Sequence, residues 1–317
     1  MLDFNILEII KPYSEIAIIG HVKPDLDAIG SCMAIALCLK KLGKKPKVFL
    51  QVYNEKYDFV SGKEFLIQDE SFKVKPEVCI ISDCGDVDRI PRFAKSIYED
   101  AIVTINIDHH KSNNNYGDYN YVNAKASSAS ELVYEIFSDI VEIDKDIATA
   151  IYAGIISDSG GLRFPSTTSN TMSVAAKLME TGIDFTSIYN QAFIKKRMEE
   201  VVALREVINR LEVCGGGKFN MSYIRLDDMA KIGIDRNDLE GVVQFILNID
   251  NAEVSAFIYE MEKDLFKVSF RSLKLDVNKI CNRYNGGGHV LAAGCTMSGE
   301  FSEIYDTIKN ILISELA

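Results

Sequence analysis

The sequence predicts two α/β domains, a larger N-terminal one built on a parallel sheet and a smaller C-terminal one, joined by a helical linker. Three observations predict this. Short Ile- and Val-rich runs alternate with helical stretches through the first half, the pattern restarts after Lys218, and 317 residues suffice for two separate cores. In this reading residues 1–190 form the first domain, 191–212 the linker and 213–317 the second domain.

The elements follow in order. Glu15–Gly20, Lys47–Leu50, Val78–Asp83 and Ile102–Asp108 read as buried strands. Asp27–Leu42 reads as a helix ending at Gly43, and Ser128-x-x-Glu131 as a capping box that opens another. Asp144–Ile156 and Ser169–Met179 are helical, and the charged stretch Lys195–Leu211, with few breakers, is the connecting helix. Beyond it come strand Met221–Leu226, helix Leu239–Ile249, strands Val254–Met261 and Leu265–Arg271, helix Val277–Tyr284 and a last helix near Ile304–Leu316. Strand–helix alternation favours a parallel sheet covered on both faces, with ligands at the carboxyl ends of its strands. Asp83 and Asp108 end strands, and His21 directly follows one, so all three point to one rim.

Composition narrows the function classes. Hydrophobic residues at 47% and charged residues at 26% fit an ordinary globular protein. Met1-Leu2-Asp3-Phe4 is neither basic nor followed by a long apolar run, and no apolar stretch approaches the roughly 18–20 residues that span a bilayer. A cytoplasmic protein without membrane contact is expected. The seven cysteines are odd in number and form no C-x-x-C pair, which predicts buried, reduced thiols. A net charge of −11 argues against tracking long duplex DNA, where many phosphates need Lys and Arg. It leaves room for a short phosphorylated ligand and for bound divalent cations.

Four polar clusters carry the chemistry. His21 is followed by Asp25 and Asp27, between a strand and a helix, which offers nitrogen and oxygen ligands suited to Mn²⁺, less readily to Mg²⁺. Either Asp could instead cap the helix. Asp83 ends a strand, where a turn-forming role is the alternative. Asp108-His109-His110 closes another buried strand, and adjacent histidines there have no common packing explanation. Asp158 precedes Gly160-Gly161, a pair that could simply stop the helix. Together His21, Asp25, Asp27, Asp83, His109 and Asp158 suffice for two divalent ions if one carboxylate bridges.

This set resembles the four motifs of the DHH phosphoesterases, and Gly286-Gly287-Gly288-His289-Val290-Leu291-Ala292-Ala293-Gly294 resembles the signature of their DHHA1 substrate-binding domain. Length and domain order are similar to the NrnA-type members, which degrade very short RNAs and often act on 3′-phosphoadenosine 5′-phosphate. The resemblance implies a two-metal phosphoesterase that hydrolyses short RNA oligonucleotides to mononucleotides, and mononucleotide bisphosphates, by attack of a metal-bridging water. Mn²⁺ is the expected ion, with Mg²⁺ or Co²⁺ as alternatives, and a homodimer is plausible for the family. It also implies that His21, Asp25 and Asp83 hold one ion. Asp27, Asp83, His109 and Asp158 hold the other, and His110 contacts the phosphate or assists the leaving group. Leu26 stands where relatives commonly have Gly; Leu adopts positive φ poorly, so this loop is expected to differ.

On the substrate side the resemblance points to Gly286, Gly287, Gly288 and His289, and to Arg271, whose guanidinium suits phosphate. Arg283 and Asn285 are possible helpers. A plain loop and a solvent-facing Arg are the alternatives, and for Arg163 and Ser166 a structural role is at least as good. A cyclic-dinucleotide phosphodiesterase would carry nearly the same motifs. A family II pyrophosphatase would lack Gly286–Gly294, a RecJ-like exonuclease would be longer, and a nucleotide sensor would have lost ligands that are all present here.

Overall fold

A computed structural model describes residues 5–69, 71–72, 75–239 and 241–316. The chain divides into two units, Met1–Lys195 and Lys196–Ala317. Met1–Phe4, on which the signal-peptide reading rested, and Glu240, within an expected helix, lie outside the described residues.

The first unit holds helices α1 (Ile6–Ile10), α2 (Leu26–Lys41), α3 (Lys95–Glu99), α4 (Ala129–Phe137), α5 (Lys145–Asp158), α6 (Ser169–Glu180) and α7 (Phe185–Tyr189). Its strands are β1 (Glu15–Ile19), β2 (Lys45–Phe49), β3 (Leu66–Ile67), β4 (Val78–Ser82), β5 (Val103–Asp108) and β6 (Tyr119–Val122). They form one sheet in the order β3-β2-β1-β4-β5-β6, with every pairing parallel. Alternate residues bury on opposite faces: Ile16 and Ile18 pack with α2, α4 and α5, Ala17 and Ile19 with Ile90, Ala94 and Ile97. Both faces being covered explains why these strands read as continuous apolar runs. β2 begins two residues earlier than the apolar run suggested. Pro46 is tolerated because β3 pairs only with Val48 and Phe49, so no neighbour on that side asks for its missing N–H.

The second unit holds α8 (Met198–Asn209), α9 (Leu226–Ile232), α10 (Val242–Leu247), α11 (Val277–Asn282) and α12 (Phe301–Glu315). Its strands β7 (Glu212–Cys214), β8 (Phe219–Ile224), β9 (Val254–Glu262), β10 (Leu265–Ser272), β11 (Gly287–His289) and β12 (Ala292–Ser298) form a mixed sheet ordered β11-β12-β10-β9-β8-β7. α11 and α12 cover one face; α8, α9 and α10 cover the other. The expected connecting helix is α8, and it buries Ala203 and Val207 against Ile224, Leu239 and Phe257.

Two local expectations are corrected and one alternative is set aside. Ser128 caps α4 through the Glu131 N–H, but the Glu131 carboxylate turns to the N–H and hydroxyl of Ser127 and to Thr171, so the box is not reciprocal. Leu26 is the first residue of α2, buried and without positive φ, so it disturbs nothing. Gly286–Gly288 is not a plain loop: β11 pairs with β12 as a hairpin, and a side chain at Gly286 would meet the Gly294 carbonyl at 2.4 Å. All seven cysteines are free and buried, and no helix among the described residues is long and apolar enough to cross a membrane.

α2 and α5 approach so closely that a Cβ at Gly30 would lie 2.5 Å from the Ala150 carbonyl oxygen. Backbone cannot swing aside as a side-chain tip can, so Gly30→Ala is expected to destabilise the protein by about 1–3 kcal/mol. Urea unfolding checks this through the midpoint at constant m-value; an unchanged midpoint would mean the two helices can part.

Candidate active site

The rim of the first sheet collects the acidic motifs because parallel strands end together. His21 follows β1, Asp83 follows β4, Asp108 ends β5, and Asp158 is the last residue of α5. Asp83 takes a left-handed backbone (φ 55°) while its N–H still reaches the Ile107 carbonyl at 3.0 Å. The turn expected of a strand-end Asp therefore exists, and it aims the buried carboxylate inward.

Three sets of ligand atoms converge within 4.8 Å: His21, Asp25 and Asp83; Asp27, His109 and Asp158; and Asp83, His109 and His110. His21 Nε2 lies 3.8 Å from Asp25 and 3.6 Å from Asp83, and His109 Nε2 lies 3.4 Å from Asp83 Oδ1 and 3.2 Å from Asp158. All six metal ligands expected from the sequence are brought together, and His110 joins them.

The cap reading of the first motif holds for Asp25, and capping leaves its second oxygen facing His21. Asp25 caps α2 with Oδ1, which accepts from the N–H groups of Asp27 and Ala28, while Oδ2 faces His21. Asp27 is fully buried, and its two oxygens accept from the Ala129 and Ser130 N–H groups at the start of α4. The positive ends of two helices thus face one acidic pocket. A Cβ at Gly154 would strike Asp27 Oδ1 at 2.5 Å, so the packing of α5 leaves room for that carboxylate. The glycine pair after Asp158 does stop α5, with both residues at positive φ.

Charge in the pocket is unevenly balanced. Burial, joined by the Asp83 and Asp158 charges, pushes the Asp27 carboxyl well up; burial also raises Asp158. Burial works against charge on His21, yet Asp25 and Asp83 outweigh it and hold the ring at about 10. His109 behaves likewise, held at about 12 by Asp158 and Asp83 against burial. Even so, Asp83 Oδ1 and His109 Nε2 are buried without a hydrogen-bond partner. Orphaned polar atoms this close together are costly unless something else satisfies them. A divalent cation fits the donor set of imidazole and carboxylate.

Asp108, expected at the rim, has a role the sequence did not show, and Asn113 and Arg89 escaped the sequence reading. Asp108, wholly buried, accepts from His110 Nδ1 at 2.7 Å and from Asn113 at 2.6 Å, so it orients His110. Arg89 approaches His21 Nδ1 at 3.1 Å. Only fold-level proximity reveals Asn113 and Arg89; neither stands out in spacing or composition.

In the second unit the register places Arg271 opposite Ala292, and Ala292 opposite His289, in one row across β10, β12 and β11. Directly opposed residues share a sheet face, so the small Ala292 separates guanidinium from imidazole. Arg271 is not the solvent-facing residue of the alternative reading: it is half-buried, burial lowers its pKa, and its guanidinium donates to the Phe270 carbonyl. Arg283 is instead paired with Glu315 at 2.7 Å. Asn285 is an exposed left-handed turn residue (φ 53°), Arg163 bonds the Gly160 carbonyl, and Ser166 is exposed.

An acidic, histidine-bearing rim at the carboxyl ends of a parallel sheet has the donor chemistry that a divalent metal takes. Residues 15–155 match the model of the DHH family N-terminal domain, and residues 220–314 that of the DHHA1 domain. The bifunctional oligoribonuclease and PAP phosphatase NrnA of Bacillus subtilis is 30% identical over 298 residues, 92% of each chain. The probable enzyme of the same description from Streptococcus mutans is 29% identical over 312 residues, 97% of this chain and 98% of its own. A solved exopolyphosphatase-related protein from Bacteroides fragilis has the same fold, with a TM-score of 0.88 at 23% identity, covering 96% of this chain and 93% of that one. The chain belongs to the DHH phosphoesterase family, in the form that joins a DHH domain to a DHHA1 domain.

The raised histidines make a prediction about metal binding. Protonated His21 and His109 stabilise the metal-free fold fully below the ordinary value near 6.5, and that contribution is lost as pH rises through about 10 and about 12. A cation needs the unprotonated rings, so binding near pH 7 is expected to release protons. Calorimetric titration with Mn²⁺ in buffers of different ionisation heat should reveal them, with affinity tightening from pH 6 to 9. Buffer-independent heats and a flat pH profile would contradict the assignment.

Proposed function

We propose that this phosphoesterase hydrolyses short RNA oligonucleotides, including linear dinucleotides, to mononucleotides, and 3′-phosphoadenosine 5′-phosphate to AMP. The observation that carries the reading is a buried Asp83 that joins two ligand sets, one with His21 and Asp25 and one with His109 and His110, and whose Oδ1, like His109 Nε2, has no hydrogen-bond partner among the described residues. His21, Asp25 and Asp83 would hold one cation, and Asp27, His109 and Asp158 the other, with Asp83 shared. Mn²⁺ suits this mixed nitrogen and oxygen set better than Mg²⁺, which prefers oxygen and retains water. Bound there, the cations would supply Lewis acidity and lower the pKa of the attacking water.

The chain's own groups do the rest. Asp108 engages His110 Nδ1, which leaves Nε2 to hold or pass the proton of the leaving oxygen. Asp25 and Asp27, fixed by backbone N–H groups, keep their positions without reorganising. In the second unit, Arg271 and His289 flank Ala292 and would grip a terminal phosphate, with backbone N–H groups of the hairpin close by. The relatives named for oligoribonuclease and PAP phosphatase activities align along nearly the whole chain, which supports short substrates.

Purified protein with Mn²⁺ should convert 5′-phosphorylated di- to pentaribonucleotides to mononucleotides faster than long RNA, and release phosphate from 3′-phosphoadenosine 5′-phosphate. Asp83→Ala should lower turnover at least 10³-fold, in keeping with loss of a two-ion site. Preferential cleavage of cyclic di-AMP would replace the proposal with cyclic-dinucleotide hydrolysis, and phosphate release from pyrophosphate alone would overturn it.

A further inference from the structure

Arg89 has a position that the metal ligands do not explain. It ends a single 3₁₀ turn, Val87–Arg89, that Asp86 caps by accepting the Asp88 N–H at 2.9 Å. Its carbonyl accepts the Val22 N–H at 2.8 Å, which ties the turn to the loop carrying His21 and Asp25. Its guanidinium then reaches His21, with Nη2 3.1 Å from Nδ1, while Nε2 of the same ring faces Asp25 and Asp83.

That contact does not satisfy the side chain. The same His21 nitrogen lies 2.7 Å from the Val22 carbonyl oxygen. If Nδ1 carries a proton for Val22, it has no lone pair to offer Arg89. That is also the tautomer in which Nε2 is free to bind a cation. Arg89 then keeps its five N–H donors and permanent charge with no acceptor among the described residues. Arg225 and Arg283, by comparison, are locked to carboxylates, Glu260 and Glu315. Among the described residues no carboxylate pairs with Arg89, although Asp86 and Asp88 are its chain neighbours and Asp88 pairs instead with Lys95. A planar cation left unpaired at the edge of a phosphoesterase pocket matches two oxygens of a tetrahedral phosphate.

We propose that Arg89 is a substrate-contacting residue of the catalytic pocket, where its guanidinium grips non-bridging oxygens of the phosphoryl group being cleaved. The inference rests on the phosphoesterase reading of this site. It assigns the first unit its own phosphate cation, additional to Arg271 in the second.

The test uses full-length, Mn²⁺-loaded protein in an Arg271→Gln background, so that one guanidinium is read at a time. Inorganic phosphate is titrated by calorimetry into this protein and into versions carrying Arg89→Gln or Arg89→Lys. The expected result is a loss of phosphate affinity of roughly tenfold or more for Arg89→Gln, partial recovery for Arg89→Lys, and Mn²⁺ affinity unchanged in both. With Arg271 intact, Arg89→Gln should lower kcat/KM for a 5′-phosphorylated diribonucleotide by about 10²-fold, the scale of losing one transition-state donor. Unchanged phosphate affinity overturns the proposal. So does a fall in Mn²⁺ affinity matching the fall in activity, which would make Arg89 a positioning residue for His21. If phosphate binding depends on Arg89 while the starting protein cleaves no dinucleotide, the proposal stands and the short-RNA reading falls.

Discussion

One constraint governs the catalytic half of the molecule: several carboxylates are held together where water cannot shield them. Asp27, Asp83 and Asp108 are buried, and Asp25 and Asp158 stand beside them. Two unit charges about 4 Å apart repel by roughly 4 kcal/mol at an effective dielectric near 20, so the cluster must be offset locally. The fold does this in steps. The N-termini of α2 and α4 give backbone N–H groups to Asp25 and Asp27, Asn113 and His110 engage Asp108, and His21 and His109 approach Asp83. Among the described residues, Asp83 Oδ1 and His109 Nε2 remain buried without a hydrogen-bond partner. The deficit is where cations would sit.

The packing around the pocket serves the same end. Gly30 lets α2 and α5 meet backbone to backbone, and Gly154 on that seam clears space for the Asp27 carboxylate. A core contact and a ligand position are therefore set by one helix pair. In the second unit the sheet register supplies geometry: Arg271, Ala292 and His289 form a row because β10, β12 and β11 pair in that register.

Much of this was legible in the sequence, for identifiable reasons. Strands buried on both faces appear as plain apolar runs, so β1, β4 and β5 were placed almost to the residue, and with them His21, Asp83 and His109 at one rim. β6 and β12 were not legible. Tyr119–Val122 is only partly buried, and Ala292–Ser298 is rich in small residues, so tertiary pairing rather than local preference makes these strands. Capping misled in one place, since Glu131 found a better set of donors in Ser127, Asn170 and Thr171 than the Ser128 N–H. Arg89 stayed hidden because an Arg in a polar turn is ordinary by composition. Only the fold brings it to His21.

The central claim, that this pocket holds two cations bridged by Asp83, is tested most directly by anomalous scattering from crystals soaked in Mn²⁺. The account predicts two anomalous peaks about 3.5–4 Å apart, with the Asp83 carboxylate between them. His21 and Asp25 should lie on one, and Asp27, His109 and Asp158 on the other. A single peak, or peaks away from Asp83, would contradict it.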